Sequence, residues 1–390
     1  MISFDKAYTI VLDNASLMEE SSVILNQATS YVLAEDVKAD RDMPPFYKSS
    51  VDGYACKSPT TGQELEVLET IAAGAKPSHA IEKGKCSKIM TGAEVPEGAD
   101  WVVMVEDTET TKSGKINVLR TGRKSNIAEK GEDFKKGAVI LKEGTIIAPQ
   151  HVAILASVGY SNPQIRKKPA VNILTTGDEL VEPDNEPNPN QIRNSNASQL
   201  AAQLQSIGIK AGYSGIVKDT KAQLKKELRN SLQDYHITII TGGVSMGDYD
   251  FVPAMLESLG VEVLFHNIAM KPGKPTLFGR KENHFVFGLP GNPVSSFLQF
   301  DMLVKPLIYK LMGAEYHPIE FKLPMGEKLT IKVSDRDSWK PVKIREGKIY
   351  PVHYHGSGHI HALNEADGFI CIPVGFNGFQ KDELVNVRSI

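Results

Sequence analysis

Residues 236–250 read HITIITGGVSMGDYD. The first six, His236–Thr241, are dominated by Ile and Thr, the β-branched pattern of a strand. The strand runs directly into Gly242-Gly243, and the apolar spacing of Asp250–Leu259, closed by Gly260, predicts a helix. Outward from this unit, strands at Ala170–Thr175, Ile209–Val217, Val261–His266 and Phe285–Gly288 alternate with helices at Asn196–Ile207, Thr220–Leu232 and Pro293–Leu311. This alternation predicts a mostly parallel sheet covered on both faces, with ligands beyond the carboxyl ends of its strands.

The flanking segments have a different texture. Ser3–Ala7 starts a helix that Ile10, Val11 and Leu12 continue, and Asn26–Ala34 carries a second helical pattern. Between residues 38 and 145, short β-like runs (Glu64–Ile71, Ser87–Met90, Trp101–Glu106, Lys115–Leu119, Ala138–Leu141) alternate with Gly/Pro turns, the rhythm of a small β domain. Ala148–Val158 returns to helical spacing with Pro149 in its first turn. The β unit therefore reads as an insertion into a helical domain made of residues 1–37 and 146–166. After Gly313 the pattern is β again: Phe321–Pro324, Leu329–Val333, Val342–Ile344, Gly368–Pro373 and Glu383–Arg388.

Composition bounds the partners. The 390 residues suffice for two to four domains at roughly 100–200 residues each. With 41% hydrophobic and 23% charged residues, the chain is not globally disordered. A net charge of −3 argues against nucleic acid, whose phosphates call for a basic chain, but leaves room for a small anion on a local cluster. The three cysteines, Cys56, Cys86 and Cys371, are odd in number and far apart, so neither a disulfide framework nor a zinc site is supported. A reduced cytoplasm is expected. The first twenty residues carry acids where a signal peptide would have its apolar core, and no run of ~18 apolar residues suggests a membrane span.

The unusual residues fall where strands end. Thr175-Thr176-Gly177-Asp178-Glu179-Leu180 follows the first strand, and Gly242-Gly243-Val244-Ser245 follows the central one. Lys271-Pro272-Gly273-Lys274-Pro275 and Leu289-Pro290-Gly291-Asn292-Pro293-Val294-Ser295 follow the last two. In a parallel sheet all four loops share one edge. The glycine loop could be a bare turn, or its free N–H groups could hold an anion. No Lys-Ser/Thr closes it, so it is not a Walker A loop. Asn292 and Pro293 suit the cap and first position of a helix, and its free N–H groups would point into the same edge. Lys271 and Lys274, stiffened by prolines, form either a solvated basic turn or a pair that an oxyanion relieves. The acids Asp178, Glu179, Asp219, Asp248 and Asp250 suit Mg²⁺, which takes one or two carboxylates plus phosphate and water. Asp219 could instead cap a helix, and Asp250 could favour a helix N-terminus by charge alone.

Elsewhere, Ser49–Ala55, Met90–Ala93 and Gly131–Phe134 read as polar turns. In the C-terminal part, Arg336 precedes His353-Tyr354-His355-Gly356-Ser357-Gly358-His359-Ile360-His361. The four histidines could bind metal, or the Gly-Ser-Gly loop could offer donors to an anion. The second reading is favoured, because no carboxylate or cysteine ligand accompanies them.

Nine motifs now stand in order: SxxDGYA (49–55), MTGA with Pro-x-Gly-Ala-Asp (90–100), GEDF (131–134), TGDEL (176–180), SN (195–196), GGVSMGDYD (242–250), KPGKP (271–275), LPGNPVS (289–295) and GSG (356–358). In this set the chain resembles the molybdopterin molybdenumtransferases, the family of the bacterial MoeA proteins and the E domain of gephyrin. The resemblance covers nearly the whole chain. It implies a multidomain α/β plus β protein, an elongated homodimer. Residues 1–37 and 146–166 would form a helical dimerisation domain, and 38–145 an inserted β domain. Residues 167–313 would form a MogA-like three-layer α/β molybdopterin-binding domain, and 314–390 a C-terminal β-barrel.

The implied reaction inserts molybdate into adenylated molybdopterin, releases AMP and is supported by Mg²⁺. The resemblance places molybdate near Lys271, Lys274, Arg336 and Ser357. Glu179, Asp219 and Asp250 would serve Mg²⁺ and the adenylate phosphates. Gly242, Gly243, Ser245, Pro290, Gly291, Asn292, Pro293 and Ser295 would line the pterin-phosphate or nucleotide pocket, with Ser195, Asn196 and Pro275 also touching substrate. Asp52, Thr91 and Asp133 would complete a site shared with the partner subunit. The molybdopterin adenylyltransferase and apo-molybdoenzymes are the implied protein partners. The family often has an aromatic and then a second arginine after Arg336. Here Trp339 fits, but Lys340-Pro341 follows, and the second arginine is missing. The α/β part alone also resembles the molybdopterin adenylyltransferases, so nucleotidyl transfer is one alternative and a non-catalytic gephyrin-like scaffold another.

Overall fold

The computed structural model of the chain describes residues 1–218, 220–243 and 252–390. Contacts divide it into two units. The first comprises Met1–Glu35, Glu143–Pro149 and Asn162–Ile390; the second comprises Asp36–Lys142 and Gln150–Ser161.

In the first unit a six-stranded sheet runs in the order Gly212–Val217, Val171–Thr176, Ile237–Thr241, His284–Leu289, Leu277–Lys281, Glu262–Phe265. The first four strands are mutually parallel, and Leu277–Lys281 runs antiparallel to both its neighbours. The strands Val171–Thr176, Ile237–Thr241 and His284–Leu289 are buried along their whole length. Both faces are covered, and the polar residues within these strands (Asn172, Thr175, Thr176, Thr238, Thr241 and His284) are buried along with the apolar ones. On one face Ile173, Ile239, Phe285 and Phe287 pack with Leu200 and Leu204 of the helix Ser195–Ser206, and with Ala7 and Val11 of the helix Phe4–Asp13. On the other, Leu174, Ile240 and Val286 meet Leu224 and Leu228 of the helix Lys221–Asp234, and Leu256 of Val252–Ser258. The expected three layers are present.

Three expectations about this unit fail. The helix expected over Asn26–Ala34 is absent. Leu25–Gln27 is a single 3-10 turn, Ser30 is left-handed at φ 67°, and Val32–Leu33 is a strand paired with Gln164–Arg166. A left-handed residue cannot continue a helix, and β-branched Val32 fits the strand. The strand Leu277–Lys281 was not expected. Its hairpin turns through Glu282 at φ 52° without the Asn-Gly or Asp-Gly pair that marks such turns in a sequence.

The long helix expected over Pro293–Leu311 is in three pieces: α over Pro293–Gln299, π over Phe300–Val304 and α over Lys305–Leu311. Pro306 explains this. In the π register the Lys305 amide bonds the Phe300 carbonyl, which leaves the Asp301 carbonyl facing a residue with no N–H. Arg388 fills the gap: its Nη2 donates to the Asp301 carbonyl at 3.2 Å, and its Nε donates to the Asp301 carboxylate at 3.0 Å.

That pair joins the helix to the C-terminal β part of the same unit. There the strand order is Met270–Lys271, Asp337–Arg345, Gly368–Ile372, Leu384–Ser389, Glu320–Pro324. Val342, Ile349, Ile370, Val385 and Val387 form its core. The edge strand Met270–Lys271 comes from the α/β part, with Met270 opposite Asp337 and Lys271 opposite Ser338.

The second unit is built on a six-stranded sheet in the order Trp101–Met104, Gly53–Cys56, Lys85–Ile89, Glu64–Ile71, Ile116–Val118, Thr108–Thr110. Alternation sends Tyr54 and Cys56 to one core and Ala55 to another. Gly53 is required by close approach, since a Cβ there would lie 2.0 Å from the Val103 carbonyl oxygen. Gln150–Ser161 carries most of the helix Pro149–Ser157.

The Asp301 and Arg388 side chains are each only 10% exposed. Removing one partner of such a buried pair costs about 3–5 kcal/mol, whereas replacing both with apolar groups is close to neutral. Asp301→Ala is therefore expected to lower the denaturation midpoint sharply. The double variant Asp301→Leu with Arg388→Met recovers only part of the loss in the same titration, because Lys305, whose ammonium donates to Asp301 at 3.0 Å, still loses its carboxylate.

Candidate functional site

The carboxyl ends of the parallel strands open into a cavity of about 590 Å³, lined by Thr176, Glu179, Leu180, Ile192, Arg193, Asn194, Ser195, Asn196, Thr241, Gly242, Gly243, Pro275, Pro290–Pro293, Gly358 and Ile360. Its floor is shaped by glycines. At Gly242, φ is +87°, and a Cβ would lie 2.2 Å from the Thr176 carbonyl oxygen. At Gly243, φ is +64°, and a Cβ would lie 2.7 Å from Thr176 Oγ1. Only glycine tolerates both the sign of φ and the crowding. A Cβ at Gly177 would fall 2.8 Å from a carboxylate oxygen of Glu179, so that glycine leaves room for the exposed carboxylate at the cavity rim.

Asn196 fastens the cavity together. Its Nδ2 donates to Thr241 Oγ1 at 2.9 Å and to the Gly291 carbonyl at 2.7 Å, which links a helix start to two strand-end loops. Asn194 caps that helix by accepting from the Ala197 amide, and its Nδ2 donates to the Tyr213 hydroxyl at 2.8 Å. The Tyr213 hydroxyl donates in turn to Glu182 at 2.8 Å; burial first, then this carboxylate, push its pKa up. Two buried lining groups, Thr176 Oγ1 and Asn196 Oδ1, have no partner among the described residues. A polar ligand fits there, because a buried hydroxyl or amide oxygen left unpaired is costly.

A second recess of about 410 Å³ adjoins the first and shares Pro275, Pro290 and Asn292 with it. Lys271, Lys274, Arg336, Lys340, Ser295, Ser357, Trp339, Tyr354 and His355 line it, and among the described residues no carboxylate does. The lysine loop is held rigidly. Gly273, at φ +104°, sits where a Cβ would meet Gln299 Nε2 at 2.2 Å, and Thr276 Oγ1 donates to the Gly273 carbonyl at 2.7 Å. The Val294 amide donates to the Ser357 carbonyl at 3.1 Å, which docks the Gly-Ser-Gly loop on the helix start. Asn292 occupies the cap position as expected, but its side chain makes no cap bond and faces both cavities instead. Asp335 accepts from Arg336 Nε at 3.3 Å but is 80% exposed, so it neutralises little.

The first unit therefore gathers Glu179, Ser195, Asn196, Gly242, Gly243, Lys271, Lys274, Pro275, Pro290, Gly291, Asn292, Pro293, Ser295, Arg336 and Ser357 around two adjoining cavities. Asp52, Thr91 and Asp133 belong to the second unit. There Asp52 Oδ1 accepts from the Thr91 amide at 2.6 Å and from Thr91 Oγ1 at 2.8 Å, and these bonds hold the exposed carboxyl below its usual range. Asp219, Ser245 and Asp250 lie outside the described residues. His353 meets His355 edge to face with ring centroids 4.2 Å apart, and His355 stacks on His359 at 5.1 Å. Among the described residues, no group of three His, Cys, Asp or Glu is placed to hold a metal. Sequence reasoning missed Thr176 and Lys340. The signal for Lys340 was its strand parity with Arg336 and Ser338.

A doubly covered α/β sheet whose strand-end cavity, lined mostly by neutral groups together with Glu179 and Arg193, adjoins a recess that gathers Lys271, Lys274, Lys340 and Arg336 has room for a polar ligand beside a small oxyanion. Comparisons with known proteins give the family. Residues 2–159 match the MoeA N-terminal region (domain I and II), 172–310 a probable molybdopterin binding domain, and 322–390 the MoeA C-terminal region (domain IV). The chain is 34% identical to a molybdopterin molybdenumtransferase of Bacillus subtilis, with 100% of this chain and 94% of the relative covered. It is 32% identical to one of Staphylococcus epidermidis, with 99% and 95% covered. The crystal structure of the molybdopterin biosynthesis moeA protein of Pyrococcus horikoshii OT3 superposes with a TM-score of 0.84 at 30% identity, covering 100% of both chains. The chain belongs to the molybdopterin molybdenumtransferase family.

Gly242→Ala is expected to cost about 1–3 kcal/mol in thermal denaturation, because it forces both a clash and a left-handed alanine. Gly291 has a permissive φ, and a Cβ there would have its nearest atom at 3.8 Å, an ordinary contact. Gly291→Ala should therefore change stability by no more than about 0.5 kcal/mol in the same measurement.

Proposed function

We propose that this chain inserts molybdenum from molybdate into adenylated molybdopterin, with release of AMP, to form molybdenum cofactor. The observation that carries the reading is the adjacency of the two cavities. The larger, with its glycine floor and amide and hydroxyl lining, suits a phosphorylated pterin-nucleotide. The smaller, with two ammoniums, a guanidinium and the Ser357 loop, suits a tetrahedral dianion. Pro275, Pro290 and Asn292 belong to both linings, so the oxyanion would lie directly beside the larger ligand.

Lys271, Lys274 and Arg336 concentrate molybdate and balance its charge as its oxygens give way to the dithiolene sulfurs. Rigid loops hold these cations in place, so little reorganisation accompanies the reaction. The unpaired Thr176 hydroxyl and the Gly242-Gly243 turn receive the phosphates, and Asn196 keeps the facing loops in register. Glu179 at the rim fits a Mg²⁺ that takes one or two carboxylates beside phosphate, and Asp219 and Asp250 would complete the set. Bound there, Mg²⁺ would supply positive charge to the phosphoanhydride oxygens. The protein acts as a homodimer, in which the partner subunit's Asp52, the partner subunit's Thr91 and the partner subunit's Asp133 complete the site. The helical segments within 1–37 and 146–166 form the dimer contact. The source of substrate is a molybdopterin adenylyltransferase and the recipients are apo-molybdoenzymes.

The test follows AMP release from molybdopterin-adenylate with Mg²⁺ and micromolar molybdate, together with reconstitution of an apo-molybdoenzyme. Lys274→Ala and Asp52→Ala should each reduce molybdate-dependent release by about 10²–10³-fold, the size of effect seen when one charge-stabilising group is removed. AMP release that ignores molybdate, or ATP consumption in its place, would assign the chain to nucleotidyl transfer instead.

A further inference from the structure

We propose that Lys340 is a fourth cation of the oxyanion recess, and that it supplies in this chain the charge for which the family often uses a second arginine after Arg336. The inference rests on the reading of the recess as the molybdate site and deepens it.

Lys340 stands on the strand Asp337–Arg345, two residues beyond Ser338, which lies opposite Lys271 in the parallel pairing. The pleat sends 338 and 340 to the same face, so the register brings the Lys340 and Lys271 side chains into one recess. Among the described residues no carboxylate pairs with Lys340. Its ammonium sits 5.0 Å from the centroid of the Tyr354 ring, a platform that holds the charge without neutralising it. The groups facing it around the recess are Lys271, Lys274, Arg336, His355 and Tyr354. Burial first, and then the charge of Lys271, lower its pKa. Burial pushes the Tyr354 hydroxyl up to about 12, so that group stays neutral throughout the working range.

An ammonium that is half-buried, beside like charges and without a counter-ion is a site that an anion completes. Its partner must be small and multiply charged, because the recess is bounded by Trp339 and Tyr354 on the side of the C-terminal strands. A tetrahedral dianion that touches Lys271, Lys274 and Lys340 together relieves all three repulsions. Unlike a guanidinium, Lys340 can lose its proton, and its lowered pKa brings that loss closer to neutrality than for an ordinary lysine. The affinity of this chain for molybdate should therefore fall on the alkaline side at a lower pH than a purely arginine-lined recess would allow.

The experiment measures the molybdate concentration dependence of AMP release across pH for wild type, Lys340→Gln, Lys340→Arg and Lys274→Ala. Titration calorimetry with inorganic molybdate runs beside it, and melting curves confirm folding. Hydrogen bonds to charged groups are worth about 1.5–3 kcal/mol. Lys340→Gln should accordingly raise the half-saturating molybdate concentration about 10–150-fold at neutral pH, while the half-saturating concentration of molybdopterin-adenylate stays within about twofold. Lys340→Arg should keep neutral-pH affinity within a few fold and move the alkaline limb to higher pH. If both Lys340 variants keep the wild-type molybdate dependence and limb while Lys274→Ala loses molybdate affinity, Lys340 is no ligand and the inference falls alone. If Lys274→Ala is also silent, the reading of the recess falls with it.

Discussion

The candidate site depends on one short parallel pairing, Met270 with Asp337 and Lys271 with Ser338. It makes a loop from the end of one sheet into the edge strand of another. It sets Lys271 and Lys274 of the α/β part against Arg336 and Lys340 of the C-terminal part. Two ladder positions are weak by themselves. The buried Arg388–Asp301 contact and the Val294 amide, which holds the Gly-Ser-Gly loop, join the same two parts. A helix that departs from its regular register at Pro306 thereby provides the carbonyl on which the C-terminal part docks.

The two cavities divide the chemistry. The larger offers mostly neutral donors and acceptors beside Glu179 and Arg193, and its shape is set by Gly242 and Gly243, which no other residue could replace without strain. The smaller concentrates positive charge, with no lining carboxylate among the described residues. Like charges held together destabilise the unliganded state, and an anion that binds only the folded arrangement stabilises it by mass action. The cost of the lysine cluster is therefore recovered on binding.

Much of this was legible in the sequence. The strands at 171, 237 and 284 announced themselves as short runs rich in β-branched and aromatic residues, each bounded by turn residues, and their order along the chain put the four loops on one edge. The motifs then identified most of the lining residues. What escaped had local physical causes. Ser30 is a left-handed residue at an unremarkable serine, and the hairpin at Glu282 lacks its usual glycine. Pro306 marks the π segment, but the Arg388 guanidinium that takes up the freed Asp301 carbonyl comes from a distant strand, which no spacing along the chain reveals. Asn292 reads as a cap by type, yet its side chain is left free for the cavities. Lys340 sits in the place where the motif pattern breaks, and only the strand register shows that its charge enters the recess.

The most direct test of the account is the anomalous X-ray signal of a crystal of this protein soaked with molybdate. The account predicts a single strong molybdenum peak within hydrogen-bonding reach of the Lys271 and Lys274 ammoniums, the Arg336 guanidinium and the Ser357 loop. A peak in the larger cavity at Gly242-Gly243 with none in the cationic recess, or no peak at saturating molybdate, would contradict it.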